Sequence, residues 1–449
     1  MGKLFGTDGI RGVANEDPIT VETAVAVGKA VAYLFKNTGK NNSIVIGKDP
    51  RISGDMLAHA CASGICAMGV DACVLDTFPT AGVAFLVKSS GSMAGIMISA
   101  SHNPYEDNGI KIFDSEGFKL SLEKENEIEA LLFNEKLKNM ASGIRNTGNV
   151  TRLNGYERRY VSFLKKALPR DFSLKGMALV LDCSNGATHK VAPKLFMELG
   201  AKVTSLFVHP DGTNINDHCG SQHPETLRKK VLETGAHMGL AFDGDGDRLI
   251  AVDEKGTILT GDQILFVCAK ALKKQRLLNN NLVVSTVMSN LGLKEGLAEA
   301  GITIVAADVG DRHVMEKMKA MGAVLGGEDS GHTIFLKHHT TGDGILTALK
   351  LIESVLSGKE PLSVLAEEMK IFPQILINVN VKTKPDLKLV PEIQKAISSI
   401  EAQLRQKGRV LVRYSGTQAM CRVMVEGPTR DKTSAYASEI AEAVRKAIG

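Results

Sequence analysis

The chain has 449 residues, 44% of them hydrophobic and 23% charged, which at roughly 150 residues per domain is enough for about three or four globular domains and unlike a disordered or fibrous composition. Its formal net charge of only +4 gives no reason to expect nucleic acid or an anionic membrane as a partner, and its seven cysteines, without CxxC pairs, indicate neither a disulfide framework nor a zinc ribbon. No apolar run approaches the ~18 to 20 residues that span a bilayer, and the start, MGKLFGTDGIRG, has no signal-peptide core, so a soluble, cytoplasmic protein is expected.

Apolar, β-branched runs at 43–46, 93–99, 178–181, 238–242, 282–286 and 302–306 read as buried strands. They alternate with longer helical patterns, the signature of α/β layers with mixed, largely parallel sheets. MGVDACVL (68–75), LGAKVTSLF (199–207) and AGITIVAADV (300–309) each close a helical pattern on glycine and enter a strand, as copies of one module would. Glycine suits the left-handed cap needed there. TGDQIL (260–265) and TGDGIL (341–346) read as equivalent helix starts capped by Asp262 and Asp343. Beyond 372 the order becomes β-α-β-β-α: a strand at 377–382, a helix at 392–406, strands at 409–413 and 421–426, and a helix from Lys432. That is a smaller α+β domain. The expected domains are 1–152, 153–257, 258–372 and 373–449.

DGDGDRLIAVDE (243–254) nearly matches the calcium-binding EF-hand loop D-x-D-x-D-G-x5-E and departs only at the sixth position, where Arg248 replaces glycine. An EF-hand needs a helix on either side, but HMGLAF and LIAV flank this loop at strand length. Asp243, Asp245 and Asp247, spaced by Gly244 and Gly246, instead suit one small hard divalent cation; the alternative is a solvated acidic turn. Glu254 then reads as a turn residue. GIMISASHNPYEDNGIKIF (95–113) runs a buried strand into Ser99-Ala100-Ser101-His102-Asn103-Pro104 and presents a hydroxyl at a strand end, where α/β folds bind ligands. A second turn at Asp107-Asn108-Gly109 leads on to Lys111. LGGEDSGHTIFL (325–336) sets Glu328, Ser330 and His332 among glycines, which suits hydrogen bonding to a polyol, though a plain hairpin turn reads equally well. VRYSGTQAMCRVMVEG (412–427) gathers Arg413, Ser415, the Gly416 and Thr417 amides and Arg422 around one turn, a set that matches a phosphate; two solvated arginines are the alternative. FGTDGIRG (5–12) and GKDPRISG (47–54) are basic and glycine-rich, and singly each reads as a turn.

With SASHNP, DGDGDR, GEDSGH and RYSGT in this order over its whole length, the chain resembles the α-D-phosphohexomutase superfamily. LFGTDGIRG, ISASHNPYEDNGIK, VGDRHV (309–314) and TTGDGIL resemble the branch acting on glucosamine phosphates. The resemblance implies three similar α/β domains and a smaller C-terminal α+β domain around a central cleft. It implies that Ser101 is a phosphoserine and that Asp243, Asp245, Asp247 and a phosphate oxygen on Ser101 hold one Mg²⁺. The implied reaction interconverts glucosamine 6-phosphate and glucosamine 1-phosphate through a 1,6-bisphosphate, which supplies amino-sugar nucleotide and cell-wall precursors. Other members of the superfamily act on glucose or mannose phosphates, and a calcium-binding module without catalysis is the remote alternative.

By the same resemblance, Lys111 and His102 handle protons or stabilise charge, with Lys111 needing a depressed pKa, or an ionised substrate hydroxyl, to act as a base. Arg11 supports that centre, and Arg248 contacts transferring phosphoryl oxygens. Glu328, Ser330 and His332 meet the sugar, and Arg413, Ser415, Gly416, Thr417 and Arg422 hold the non-transferring phosphate. Asp311 or Glu328 offers a carboxylate to the 2-ammonium group. The implied partner is a small phosphosugar, with neither nucleic acid nor membrane, and a homodimer is compatible. Two departures stand out: Gln418 and Ala419 follow SGT where Glu and often Pro are usual, and GKDPR, with Lys48 and Arg51, replaces GRDTR.

Overall fold

One strand pattern recurs three times in the computed structural model, which describes residues 4–6, 8–36, 38–39, 41–133, 146–405, 407–415 and 419–449. The first module contains β1 (Ile10–Val13), β2 (Asn41–Lys48), β3 (Asp71–Thr77), β4 (Ser92–Ile98), β5 (Asp107–Asp114) and β6 (Val150–Arg152), in the sheet order β1-β5-β4-β2-β3-β6. β2 pairs in parallel with both β3 and β4, and β4 turns back on β5 as an antiparallel hairpin. The second contains β7 (Ala178–Asp182), β8 (Lys202–Leu206), β9 (Met238–Phe242), β10 (Leu249–Asp253) and β11 (Ile258–Leu259), in the order β11-β10-β9-β7-β8. Here β7 pairs in parallel with β8 and β9, and β9 forms the hairpin with β10. The third contains β12 (Leu282–Thr286), β13 (Thr303–Ala307), β14 (Leu325–Gly327) and β15 (Thr333–Phe335) and repeats the scheme, with β12 parallel to β13 and β14 and a β14–β15 hairpin.

The repeat explains the glycines. Gly69, Gly200 and Gly301 have φ of 75°, 100° and 64° and stand between a helix and β3, β8 or β13, the same place in each module. The helix starts differ from expectation. Asp343 caps Gly344–Gly358 by accepting from Leu346 N at 3.0 Å, but Gly261–Lys274 is capped by Thr260 in a reciprocal pair with Gln263. Asp262 lies inside that helix, so the two TGD starts are not equivalent. Likewise, Asp107-Asn108-Gly109 is not a turn but the start of β5; the turn spans Pro104 to Asp107, whose N–H donates to the Pro104 carbonyl.

Two compact units result. One takes in the described residues up to Met288 together with Ile302–Glu367, and so holds all three repeated sheets. The other joins Ser289–Gly301 to Glu368–Gly449. Its antiparallel sheet has the order β16-β18-β17, with β16 (Gln374–Asn380), β17 (Arg409–Tyr414) and β18 (Met420–Glu426), backed by helices Pro391–Leu404 and Arg430–Ile448. The helix Leu291–Glu299 belongs to this unit through Asn290, which exchanges two hydrogen bonds with the Phe372 backbone, and through Leu291 N, which donates to Glu426. All seven cysteines are free thiols, all but Cys66 buried. Among the described residues no helix is long and apolar enough to cross a membrane.

An aromatic cluster of Phe78, Phe85, Tyr156, Tyr160 and Phe163 ties the first module to the second, and Tyr160 donates to Asp343 of the third at 2.7 Å. His339 closes it edge-on to Phe163, with Nδ1 accepting from Thr340 N at 2.8 Å and Nε2 donating to the Ala81 carbonyl at 2.9 Å. Burial lowers its pKa to about 4, so the neutral ring is the folded form. A histidine whose folded value lies below its unfolded value contributes stability above the unfolded pKa and loses it as pH falls toward the folded one. Between pH 6.5 and 4 the full contribution is on the order of 3 kcal/mol. His339→Gln should therefore be less stable at pH 7 but lose less on acidification over that window, as read from unfolding midpoints.

Candidate active site

The three hairpins carry the three motif loops: Ser101 between β4 and β5, Asp243 to Arg248 between β9 and β10, and Glu328 to His332 between β14 and β15. Ser101 has φ of 54°, uncommon for a residue with a Cβ and a mark of a loop held by its surroundings. The holder is Arg51. Its Nε donates to Asp49 (2.9 Å), Nη1 to the carbonyls of Asp107 (2.9 Å) and Pro104, and Nη2 to those of Ser101 (3.0 Å) and Asn103 (2.8 Å). All five guanidinium N–H groups thus serve one loop and its anchor. Ser99 Oγ donates to Asp49 at 2.6 Å and accepts from Ser101 N at 2.9 Å, and Asn216 of the second module donates to the Ser101 and Asn103 carbonyls. A lysine cannot reproduce this planar fork. Arg51→Lys should destabilise the protein by about 3 kcal/mol or more and lower turnover, measured by denaturant unfolding and steady-state kinetics.

The aspartate loop comes close to the serine. A Cβ on Gly244 would lie 2.5 Å from the Ser101 carbonyl oxygen, whereas Gly246 has φ of 74°. One glycine turns the chain and the other lets the loops meet. Ser101 Oγ, fully buried, donates to Asp243 Oδ2 at 2.5 Å, and Asp243 Oδ1 accepts from Arg248 N at 3.1 Å. Asp245 Oδ2 accepts from Thr80 Oγ1 (2.6 Å) and Lys111 Nζ (2.7 Å); Asp247 Oδ2 lies 3.5 Å from Lys111 Nζ and 3.6 Å from His332 Nδ1. The remaining oxygens, Asp245 Oδ1 and Asp247 Oδ1, are buried without a hydrogen-bond partner, and ligand atoms of the three carboxylates lie within 4.8 Å of one another. Three buried carboxylates this close, two of them with an oxygen that no hydrogen bond claims, fit a divalent cation such as Mg²⁺. The flanks, β9 and β10, are strands, not EF-hand helices. Glu254 does turn the chain, but it also accepts hydrogen bonds from Ser363 N and Oγ.

Around the carboxylates runs a ring of alternating charge. Asp8 pairs with Arg11, with Lys111 at 3.1 Å and with Lys119; Lys119 also pairs with Asp311, whose other neighbour is His332 Nε2 at 3.7 Å. Burial alone would lower the Lys111 pKa, but Asp245, Asp8 and Asp247 outweigh it and raise the value above that of an ordinary lysine. These carboxylates favour the protonated form of the buried amine. His102 is the opposite case: burial, Arg248 and Arg11 lower it to about 4, so a neutral imidazole stands 3.4 Å from Ser101 Oγ. Asp243, buried beside Asp247 and Asp245, has its carboxyl pushed well above the usual range; Asp247, equally buried, is pulled well below it by Lys111 and His332.

The third loop is the hairpin turn that the sequence left open. Glu328 accepts from Gly310 N at 2.9 Å and Ser330 Oγ is buried without a hydrogen-bond partner. His332 is buried, its ring between Asp247 and Asp311. Asp311, one candidate for an ammonium, is already engaged by Lys119.

In the second unit Arg413 and Arg422 are directly opposed across β17 and β18. Like charges so placed repel unless an anion lies between them. Lys384 adds a third cation by donating to the Ser415 carbonyl at 3.0 Å. Gly416 and Thr417, with Gln418, lie outside the described residues. Sequence reading missed Thr80, Asp49, Lys119, Lys384 and Asn216, and gave Asp8 no role although it stands inside FGTDGIRG.

Four family models match in order: phosphoglucomutase/phosphomannomutase α/β/α domain I over residues 2–139, domain II over 158–256, domain III over 260–372, and the C-terminal domain over 376–443. The phosphoglucosamine mutase of Syntrophus aciditrophicus is 55% identical over 449 residues, covering 100% of each chain, and that of Syntrophobacter fumaroxidans is 54% identical with the same coverage. A phosphoglucomutase/phosphomannomutase family protein of Burkholderia thailandensis is similar in structure, with a TM-score of 0.78 at 25% identity, covering 98% of this chain and 97% of that one. Aspergillus fumigatus N-acetylphosphoglucosamine mutase, solved with GlcNAc-6P and magnesium, shares the fold at 19% identity and a TM-score of 0.67, covering 100% and 96%.

Proposed function

The chain belongs to the phosphoglucomutase/phosphomannomutase family, and from that membership we propose that it interconverts glucosamine 6-phosphate and glucosamine 1-phosphate through a phosphorylated Ser101 and a 1,6-bisphosphate. Full-length identity of about half or more to phosphoglucosamine mutases supports the substrate. Such an enzyme is an intramolecular phosphotransferase acting in the cytoplasm on a soluble phosphosugar, and its product serves amino-sugar nucleotide synthesis.

The phosphoryl group leaves Ser101 Oγ as its P–O bond breaks and a new one forms to the free sugar hydroxyl, whose proton passes to a base. The bisphosphate then turns over, and its other phosphoryl group returns to Ser101. A divalent cation held by Asp243, Asp245 and Asp247, with a phosphate oxygen, would offset charge on the group in transfer. Arg11 lies beside that group, Arg248 meets its oxygens, and Lys111 and His102, both next to the Ser101–aspartate contact, handle the proton or stabilise charge. Glu328 and Ser330 bind sugar hydroxyls, while His332 acts behind them by orienting Asp247. Arg413, Ser415, Gly416, Thr417 and Arg422 hold the phosphate that is not moving. Catalysis of this kind rests on positioning and charge.

The observation that carries this reading is the hydrogen bond from Ser101 Oγ to Asp243, in a cage where Asp245 and Asp247 each keep one buried oxygen that accepts no hydrogen bond. Turnover of glucosamine, glucose and mannose phosphates tests it. Glucosamine phosphate should dominate; a faster glucose or mannose reaction would move the protein to another branch of the family, and inorganic phosphate as main product would make it a phosphatase.

A further inference from the structure

Thr80 is the first residue of the helix Thr80–Ser90, in the first module, yet both of its hydrogen-bonding groups reach the aspartate loop of the second. Its backbone N–H, one of the orphan donors of a helix start, donates to the Asp245 carbonyl at 2.9 Å. Its hydroxyl donates to Asp245 Oδ2 at 2.6 Å. The side chain is fully buried, so no solvent competes for that proton. The residue before it, Pro79, has no N–H to offer and caps nothing with its side chain.

A carboxylate can rotate about its own bond, and which oxygen faces inward depends on what holds the other. For Asp245, Oδ2 is held by two groups, the Thr80 hydroxyl and Lys111 Nζ at 2.7 Å, and Oδ1 accepts no hydrogen bond. The two holders differ. Lys111 is shared with Asp8 and Asp247, so it pulls in several directions and its long stem tolerates movement. The Thr80 hydroxyl makes one bond, from a β-branched side chain on a helix whose first N–H is pinned to the same residue. We infer that Thr80 is a positioning residue that fixes the rotation of Asp245 and thereby presents Oδ1 to the divalent cation. It also ties the serine-bearing module to the aspartate loop, alongside Ser101, Lys111 and Asn216. This rests on the reading of Asp243, Asp245 and Asp247 as a cation site.

Thr80→Val keeps the shape and the backbone bond and removes only the donor; Thr80→Ser restores the donor. Binding of Mn²⁺ to the full-length protein, followed by electron paramagnetic resonance of the free ion, is the direct readout. Thr80→Val should weaken it by about ten- to a hundredfold, the usual effect of losing a partner behind a metal ligand, with Thr80→Ser within about threefold of wild type. In steady state Thr80→Val should raise the Mg²⁺ concentration needed for half-maximal turnover and recover most of its rate when Mg²⁺ is in excess. General damage would instead lower the rate at every Mg²⁺ concentration. Unchanged Mn²⁺ affinity in Thr80→Val, or an equal loss in Thr80→Ser, overturns the inference. If wild type binds no Mn²⁺ that Asp245→Asn abolishes, the cation reading itself fails instead. Should Thr80→Val not fold, Thr80→Ala, which also removes the hydroxyl donor, carries the same two expectations.

Discussion

Ser101→Ala should reduce turnover on the order of a thousandfold or more and leave the fold intact, because it removes the atom that carries the phosphoryl group and little else. The backbone of this loop is held by Arg51, Asn216 and Ser99, and none of those bonds involves Ser101 Oγ. Alanine keeps a Cβ and adopts the same left-handed φ with the same strain. What is lost in stability is the bond to Asp243, whose Oδ2 is left without that donor, a change of about 1 to 2 kcal/mol. Turnover and thermal unfolding measured on the same preparation separate the two effects. Retained turnover in a folded variant would remove Ser101 from the reaction.

Asp243→Asn should give a less familiar pair of results: turnover lowered by a factor on the order of 100 or more, and a chelated protein made more stable by about 1 to 3 kcal/mol. Three fully or nearly fully buried carboxylates lie within one small space, and their mutual repulsion is poorly screened there. Asp245 and Asp247 have Lys111 close by, but the hydrogen-bond partners of Asp243 are neutral, a hydroxyl and a backbone N–H. Neutralising Asp243 relieves the repulsion from Asp247 and Asp245, which outweighs its attraction to the buried Arg248 guanidinium; Asp247 still faces that guanidinium at 3.8 Å, and an amide oxygen can still accept from Ser101. The test is thermal unfolding in a chelator and then in excess Mg²⁺. Wild type should gain more from the ion than the variant does, since binding to the folded state alone stabilises it. A variant less stable than wild type in chelator would show that the carboxylates are not the strained element.

The loops that bear the chemistry were legible in the sequence because each concentrates its residues within a few positions. SASHNP ends a buried strand, and the strand-length flanks of DGDGDR were enough to reject the calcium hand before any coordinates; β9 and β10 bear this out. Gly69, Gly200 and Gly301 announced three copies of a module because each needs the same left-handed cap. What the sequence did not display is the shared hairpin that places all three motif loops, since pairing partners of a strand are not written in its own residues. Thr80 illustrates the limit: it lies 165 positions from Asp245, and one threonine in a helix start carries no pattern. Lys111 illustrates another. Its charge state depends on Asp8, Asp245 and Asp247, which come from two separate segments. Asp262 misled for a local reason, because Thr260 two residues earlier offered the better cap and took the position. Arg248, the residue that spoiled the calcium match, contributes its backbone N–H to Asp243 and sets its buried Nε 3.8 Å from Asp247 Oδ1.

The central claim is that Ser101 carries the phosphoryl group, and intact mass followed by peptide mapping tests it most directly. Protein treated with a hexose 1,6-bisphosphate should gain one phosphoryl group, located on Ser101, and lose it to a phosphatase or to a hexose monophosphate substrate. A protein that turns over its substrate with no phosphoryl group on Ser101, or with one on another residue, would contradict the account.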